Sequence, residues 1–422
     1  MKLHLAVLAI APLAATGQTP DARSFVPRLE KNLEQNILSF WYPKSLDKVN
    51  GGYTISYNAK GEPNPKASKG IVTQSRQVWL FSRAAREGYR RAEMIEAAAH
   101  GFRFLRDRMW DKKNGGFYWE VDAAGNPKLA RKHMYGQSFA LYGLSEYYLA
   151  SHDKEALDLA NKLFALMEEH AHDAEYGGYR EDFNADWTEP PANEMNPMGV
   201  TPAIKLMNTH LHLMESVTAY YRASKSPLAR ERLIELINIE TNAVVRKRLT
   251  ACSDKYKRDW TPLPGPDNAW ERVSYGHDLE NIWLITDACE AAGISPWPFA
   301  DLFRDLFEYS LKYGYDGVNG GFFNTGERNK PADDRVKTWW VQAEAAVSSL
   351  YMYRMTHDPA YWNVFAKTYE FIDRYQTDWK TGEWHPNVSP ELKPYGAKAD
   401  IWKGGYHNGR AMMECLRLLK RM

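Results

Sequence analysis

Apolar and polar residues alternate along the chain in two registers, and the two registers come in pairs. Residues 155–172 (EALDLANKLFALMEEHAH) place apolar side chains at Leu157, Leu159, Ala160, Leu163, Phe164 and Met167, the stripe of a helix that buries one face. The segment before it, residues 133–151 (HMYGQSFALYGLSEYYLAS), is apolar or aromatic nearly all round, as suits a helix covered on every side. The same pairing recurs at 205–224 followed by 228–249, and at 337–356 followed by 360–376. The pattern predicts helical hairpins, each made of one enclosed and one surface helix.

Short glycine turns punctuate these pairs: NGGY at 50–53, NGGF at 114–117, YGGY at 176–179, NGGF at 319–322 and a divergent TGEW at 381–384. The leading glycines stand 64, 62, 143 and 62 residues apart, so one copy is degraded beyond recognition in the long interval. The segment DKYKRDWTP at 254–262 is the best match for it. A unit recurring every sixty-odd residues is one supersecondary element stacked several times. Glycine supplies the positive φ of a tight turn, and the aromatic beside it pins a short β-turn or hairpin to a rim. Six units fit the chain, which predicts an all-α fold, a closed (α/α)6 toroid or barrel with short β-turns or hairpins at its rim. An open solenoid is the alternative arrangement.

Composition narrows the function. The 54 basic residues balance 53 acidic ones, so nothing draws the protein to nucleic acid or an anionic membrane. Three cysteines (Cys252, Cys289, Cys415) are too few and too odd in number for a disulfide framework. CxxC, HExxH, GxGxxG and P-loop patterns do not occur. The 15 tryptophans and 25 tyrosines are rich material for a core, and also for stacking on sugar faces.

The enclosed helices carry polar residues in register, where each must be hydrogen-bonded or cost stability. One has Asn208, His212 and Glu215; another His277, Glu280 and Asp287; the last His407, Arg410 and Glu414; and an early one Arg76 and Arg83. Each set shares a helix face, and in a toroid those faces share the axial funnel. Metal binding is one alternative, since His-x-x-Glu occurs at His212/Glu215 and His277/Glu280. Di-iron carboxylate helices use the reverse order, so these glutamates are expected to orient their histidines instead.

At these residues the chain resembles the N-acylglucosamine 2-epimerase superfamily, most closely its cellobiose 2-epimerases. The resemblance covers essentially the whole chain beyond its first 17 residues. It rests on SRQVWLFSRAAR (75–86), MYGQSFALYGLSEYY (134–148), MNTHLHLMES (207–216), YGHDLENIWLI (275–285), KTWWVQAEA (337–345) and WKGGYHNGR (402–410), in order and at sensible spacing. It implies reversible epimerisation at C2 of a reducing-end sugar, without metal, nucleotide or other cofactor. The superfamily's catalytic histidines fall on His212, His277 and His407, with His210 off that face. Arg76 matches the arginine that holds sugar oxygens near C1 and C2. Sugar contacts fall on Tyr135, Trp402 and one of Trp339 and Trp340, spacing favouring Trp339, while Asn208 and Glu280 complete the expected binding set. The implied partner is a small-molecule sugar, a disaccharide or oligosaccharide, for a monomer or weak dimer. A glycoside hydrolase on the same toroid is one rival, with Asp278 and Glu280 as its carboxyl pair, and an aldose–ketose isomerase of the same superfamily acting on free mannose is a nearer one.

The first residues, MKLHLAVLAIAPLAATGQTP, combine a lysine, an apolar run too short to span a bilayer, and small residues at Ala15 and Gly17. They read as a secretory signal peptide over 1–17 ahead of a single barrel domain over 18–422, which places the protein in the periplasm or outside the cell. Mass spectrometry of the exported protein should find an N-terminus near Gln18; an intact 1–17 segment on the mature chain would overturn this reading.

Overall fold

The computed structural model describes residues 21–246, 251–252, 254–263 and 272–422; the predicted leader lies outside them. Twelve helices of at least ten residues are present among the described residues, and they alternate between an outer and an inner ring. The outer helices are α1 (Ala22–Lys31), α3 (Arg91–Phe104), α5 (Lys154–His170), α7 (Pro227–Asn238), α9 (Ala300–Gly314) and α11 (Pro359–Phe371). The inner ones are α2 (Ile71–Arg86), α4 (Met134–Ser151), α6 (Met207–Ser224), α8 (Tyr275–Ala292), α10 (Trp339–Thr356) and α12 (Tyr406–Leu419). Consecutive inner helices pack side by side, and α12 packs on both α2 and α1 to close the ring. Five hairpins are contiguous in sequence; the sixth joins the last helix to the first. Among the described residues no helix is long and apolar enough to cross a membrane.

Burial follows the two registers. Residues 134–147 of α4 are buried without a break, while α5 buries only Ala156, Leu159, Ala160, Leu163, Phe164 and Met167. Leu157 is half-exposed, one position off the stripe, and Ala156 takes its place. The outer helices α5, α7 and α11 open on side-chain caps from Asp153, Ser226 and Asp358, which satisfy first-turn N–H groups. Inner helices α4, α6, α8 and α10 end on a left-handed residue, namely His152, Lys225, Gly293 and His357, which turns the chain back outward.

The glycine turns are built to one plan. Four residues before the leading glycine stands an aspartate (Asp47, Asp111, Asp173, Asp316, Asp378) whose Oδ1 accepts the N–H groups two and three residues on. A buried lysine pairs with each aspartate: Lys69, Lys132, Lys205, Lys337 and Lys398. The fourth residue of the next inner helix then reads the turn. Gln74, Gln137 and Gln342 each accept the N–H and donate to the C=O of Tyr53, Phe117 and Phe322 respectively. His210 holds the same place in α6, and its Nε2 accepts the Tyr179 N–H at 3.0 Å.

The degraded copy lies earlier than the glycine spacing suggested. Val245–Arg246 pairs antiparallel with Ala251–Cys252 straight after the outer helix. The Cys252 N–H is taken at 2.8 Å by Asp278, the fourth residue of α8. Residues 254–262 instead supply Lys255–Lys257, the strand paired with Ile204–Leu206 ahead of α6. The TGEW copy keeps its geometry with Glu383 at φ 63°, where other copies have a second glycine. Its buried carboxylate accepts from Trp41 Nε1, Lys403 Nζ and Asn408 Nδ2 at 2.6–2.7 Å, which offsets a left-handed strain of about 1–2 kcal/mol.

If the fourth position is a turn-reading site, His210→Gln should keep the thermal stability of the parent protein. His210→Ala should lose about 1–3 kcal/mol, the cost of one orphaned buried N–H. Thermal melts at a fixed scan rate would compare them, and equal losses in both variants would refute the reading.

Candidate functional site

All inner helices enter the ring from the same rim, so their first two turns converge on one mouth. The sixth residue of each of α2, α4, α6, α8 and α10 points to the axis: Arg76, Phe139, His212, Glu280 and Glu344. The second or third residue adds Tyr135, Asn208, His277, Trp340 and His407. The ten residues singled out from the sequence (Arg76, Tyr135, Asn208, His212, His277, Glu280, Trp339, Trp340, Trp402, His407) line one cavity of about 180 Å3. Both tryptophans of the 339/340 pair face it. Trp340 lies 4.8 Å from the His277 ring and 5.9 Å from that of His407, centroid to centroid, and Trp339 lies 6.3 Å from His407.

Three polar atoms in that wall are buried and unpartnered: Arg76 Nε, Asn208 Oδ1 and Trp339 Nε1. Such groups are costly to leave unmade, and their residues line the cavity. The Arg76 guanidinium is fixed by the Tyr135 hydroxyl at 3.0 Å and the Trp402 carbonyl at 3.1 Å, and lies 4.1 Å from the Phe139 ring centroid. Trp402 is 38% exposed at the mouth, open for stacking.

Beneath the cavity Arg410 binds three carboxylates from three helices. Its Nη1 donates to Glu215, and its Nη2 donates to Glu280 at 2.5 Å and Glu344 at 2.8 Å. Two of these carboxylates continue to histidines. Glu215 Oε2 accepts from His212 Nδ1 at 2.9 Å, and Glu344 Oε1 from His407 Nδ1 at 2.7 Å. In each ring Nε2 is thereby the nitrogen left for a ligand. Burial opposes ionisation of Glu215, but Arg410, His212 and Tyr406 overcome it and hold its carboxyl at about 2. Burial, with Glu344 as a like charge, pushes Glu280 up to about 7. Burial, with His212 nearby, lowers His277 to about 3, and burial with Arg76 and Arg410 drives His407 well below its usual range. His277 and His407 are thus neutral bases at pH 7.

Several expectations change. Glu280 does not orient His277: it turns to Arg410, and His277 packs against the Trp340 ring instead. Asp287, Glu414 and Arg83 leave the mouth, because seven to ten residues of helix carry them to the other end of the ring, where Asp287 pairs with Arg222 and Glu414 with Arg417. Asp278 accepts the Cys252 N–H and Glu280 binds Arg410, so this pair is not free to serve as a hydrolase's two carboxyl groups. The His-x-x-Glu pairs do not converge on a metal position. Among the described residues one trio, Glu280, Glu344 and His407, brings ligand atoms within 4.8 Å of each other, and Arg410 Nη2 already bonds both of its carboxylates.

Glu344 was missed, although it is the one carboxylate in the otherwise uncharged run WWVQAEAAVSSL (339–350); a buried charge there needed a partner. Trp283, which donates to Glu344 at 2.8 Å, and Tyr406, which donates to Glu215, were missed as well.

Residues 51–409 match the family described as N-acylglucosamine 2-epimerase (GlcNAc 2-epimerase). The cellobiose 2-epimerase of Dictyoglomus turgidum is 32% identical over 410 residues, covering 95% of this chain and all of that one. The D-mannose isomerase of Marinomonas mediterranea is 24% identical, covering 94% of this chain and 98% of that protein. The structure of cellobiose 2-epimerase from Bacillus thermoamylovorans superposes with a TM-score of 0.86 at 32% identity, over 95% of this chain and all of that one. Ring architecture, near-complete mutual coverage and a histidine-lined axial cavity agree: the chain is a sugar-epimerising member of the N-acylglucosamine 2-epimerase family.

Proposed function

We propose that the protein interconverts the glucose and mannose configurations at C2 of the reducing-end residue of a β-1,4-linked disaccharide, of the cellobiose or mannobiose type. The observation that carries the reading is the pair of neutral histidines, His277 and His407, against one tryptophan ring in a cavity with unpartnered polar groups. Opening of the sugar ring exposes an aldehyde, and the C2 proton becomes removable once the enediolate oxygen is stabilised. Arg76 donates to that oxygen, with His212 beside it, its Nδ1 bonded to the ionised Glu215. Fixed donors in a water-poor site supply the largest kind of catalytic stabilisation. One of His277 and His407, neutral in the resting site, takes the C2 proton onto Nε2; the other, which must first take up one proton from solvent, gives that proton to the opposite face of C2, so the pair exchanges charge states in each turnover. Glu344 stabilises the imidazolium when His407 carries the proton.

In deuterated water the epimeric product should gain deuterium at C2. His277→Ala and His407→Ala should each lower turnover about a hundredfold or more, the usual weight of general acid–base catalysis being about 10²–10⁴-fold. Product without solvent deuterium, formed at near-parent rates by both variants, would sink the mechanism. A time course followed by NMR that gave ketose as the main product would favour the isomerase activity named for the mannose-acting relative.

Because both histidines are depressed, the base form persists as pH falls until the folded-state value is reached. The acid limb of kcat/KM should therefore lie well below about 6.5, the ordinary histidine value. A limb centred at about 6.5 would show histidines that titrate as if exposed.

A further inference from the structure

Three histidines line the sugar cavity, and two of them are tied to carboxylates: His212 to Glu215 and His407 to Glu344. His277 has no such tether. Among the described residues neither of its ring nitrogens has a hydrogen-bond partner, and its imidazole meets the Trp340 ring at 4.8 Å, centroid to centroid. Both rings border open space on two sides. They line the sugar cavity and also a neighbouring cavity of about 310 Å3, together with Arg272, Ser274, Asn324 and Thr325. The place of His277 therefore follows the place of Trp340.

The depth of Trp340 is set in turn by a glycine. Gly276 is the second residue of α8 and has no positive φ, so its backbone does not require glycine, and alanine is the better helix former. A Cβ there would stand 2.5 Å from both Cη2 and Cζ3 of Trp340 and 2.9 Å from Val341 Cγ2. The missing side chain is the seat of the indole. We infer that Gly276 is a positioning residue for proton transfer: it admits Trp340 against the first turn of α8, and Trp340 fixes where the His277 imidazole stands. The inference rests on the acid–base role of His277 proposed above.

The test uses the full-length protein with cellobiose. Gly276→Ala should lower kcat about tenfold to a hundredfold, the order that a small misplacement of a catalytic group costs. In a Trp340→Phe background, whose shorter ring lacks Cη2 and Cζ3, the same alanine should cost about threefold or less, because residues in contact do not act additively. A glycine needed only for helix packing would cost the same in both backgrounds, and that equality would overturn the assignment. Crystal structures give a readout apart from activity. Trp340 and His277 should both be displaced in Gly276→Ala, and two rings in their parental positions would overturn the assignment as well. Should Gly276→Ala not fold, Trp340→Leu removes the ring and keeps the glycine. His277 should then leave its parental rotamer, and a His277 that keeps it would show that Trp340 does not hold it. A parent protein that leaves C2 of cellobiose unchanged would count against the proposed function, and the positions of the two rings would still decide the role of Gly276.

Discussion

The barrel depends on one buried cation. Arg410 sits where inner helices α6, α8 and α10 meet α12, and three carboxylates reach it from those helices. A buried carboxylate without a partner is strongly unfavourable, and removing one side of such a cluster costs about 3–5 kcal/mol. Arg410 can serve three acids because a guanidinium offers five donors in a fixed plane. The same acids then pass the constraint outward to His212 and His407, so the group that stabilises the ring also fixes which nitrogen of each ring faces the cavity. Position and tautomer of the cavity histidines are consequences of packing here.

The repeat explains how a scaffold this regular hosts chemistry. In five inner helices the fourth residue is spent on the turn behind it, as Gln, His or Asp. Its place on the helix leaves the second, third and sixth residues facing the axis. Those positions diverge freely among Arg, Tyr, Asn, His, Glu and Trp, while the fourth varies little. Structural and chemical roles are separated by helix register, which is why His210 and His212, two residues apart, serve different ends.

Much of this was legible in the sequence. The alternation of enclosed and striped helices follows directly from periodicity, and the polar residues of the enclosed helices stood out against an apolar background. Register along a single helix gave the mouth residues. It could not say where along the axis a face stops belonging to the cavity, so Asp287 and Glu414 were grouped with His277 and His407, about three and two helical turns away. Pairing between helices was also out of reach. Glu280 and Arg410 are 130 residues apart, and only the closed ring shows that Glu280 answers to Arg410 instead of its neighbour His277. The degraded turn was misplaced because glycine was taken as its marker, whereas the retained feature is the acceptor at the fourth helical position.

The sixth hairpin, made of α12 and α1, has a consequence for biogenesis. During synthesis helices α1 to α11 emerge before α12, so Glu215, Glu280 and Glu344 are made long before the cation that neutralises them. An incomplete chain would bury three acids without Arg410, at the cost of protonating them, so the inner ring is weaker until α12 arrives. Closure is therefore deferred until α12 is released, and that segment brings His407 and Arg410 together. Until α12 joins, the ring lacks both Arg410 and His407, so the finished ring and the complete cavity arrive together.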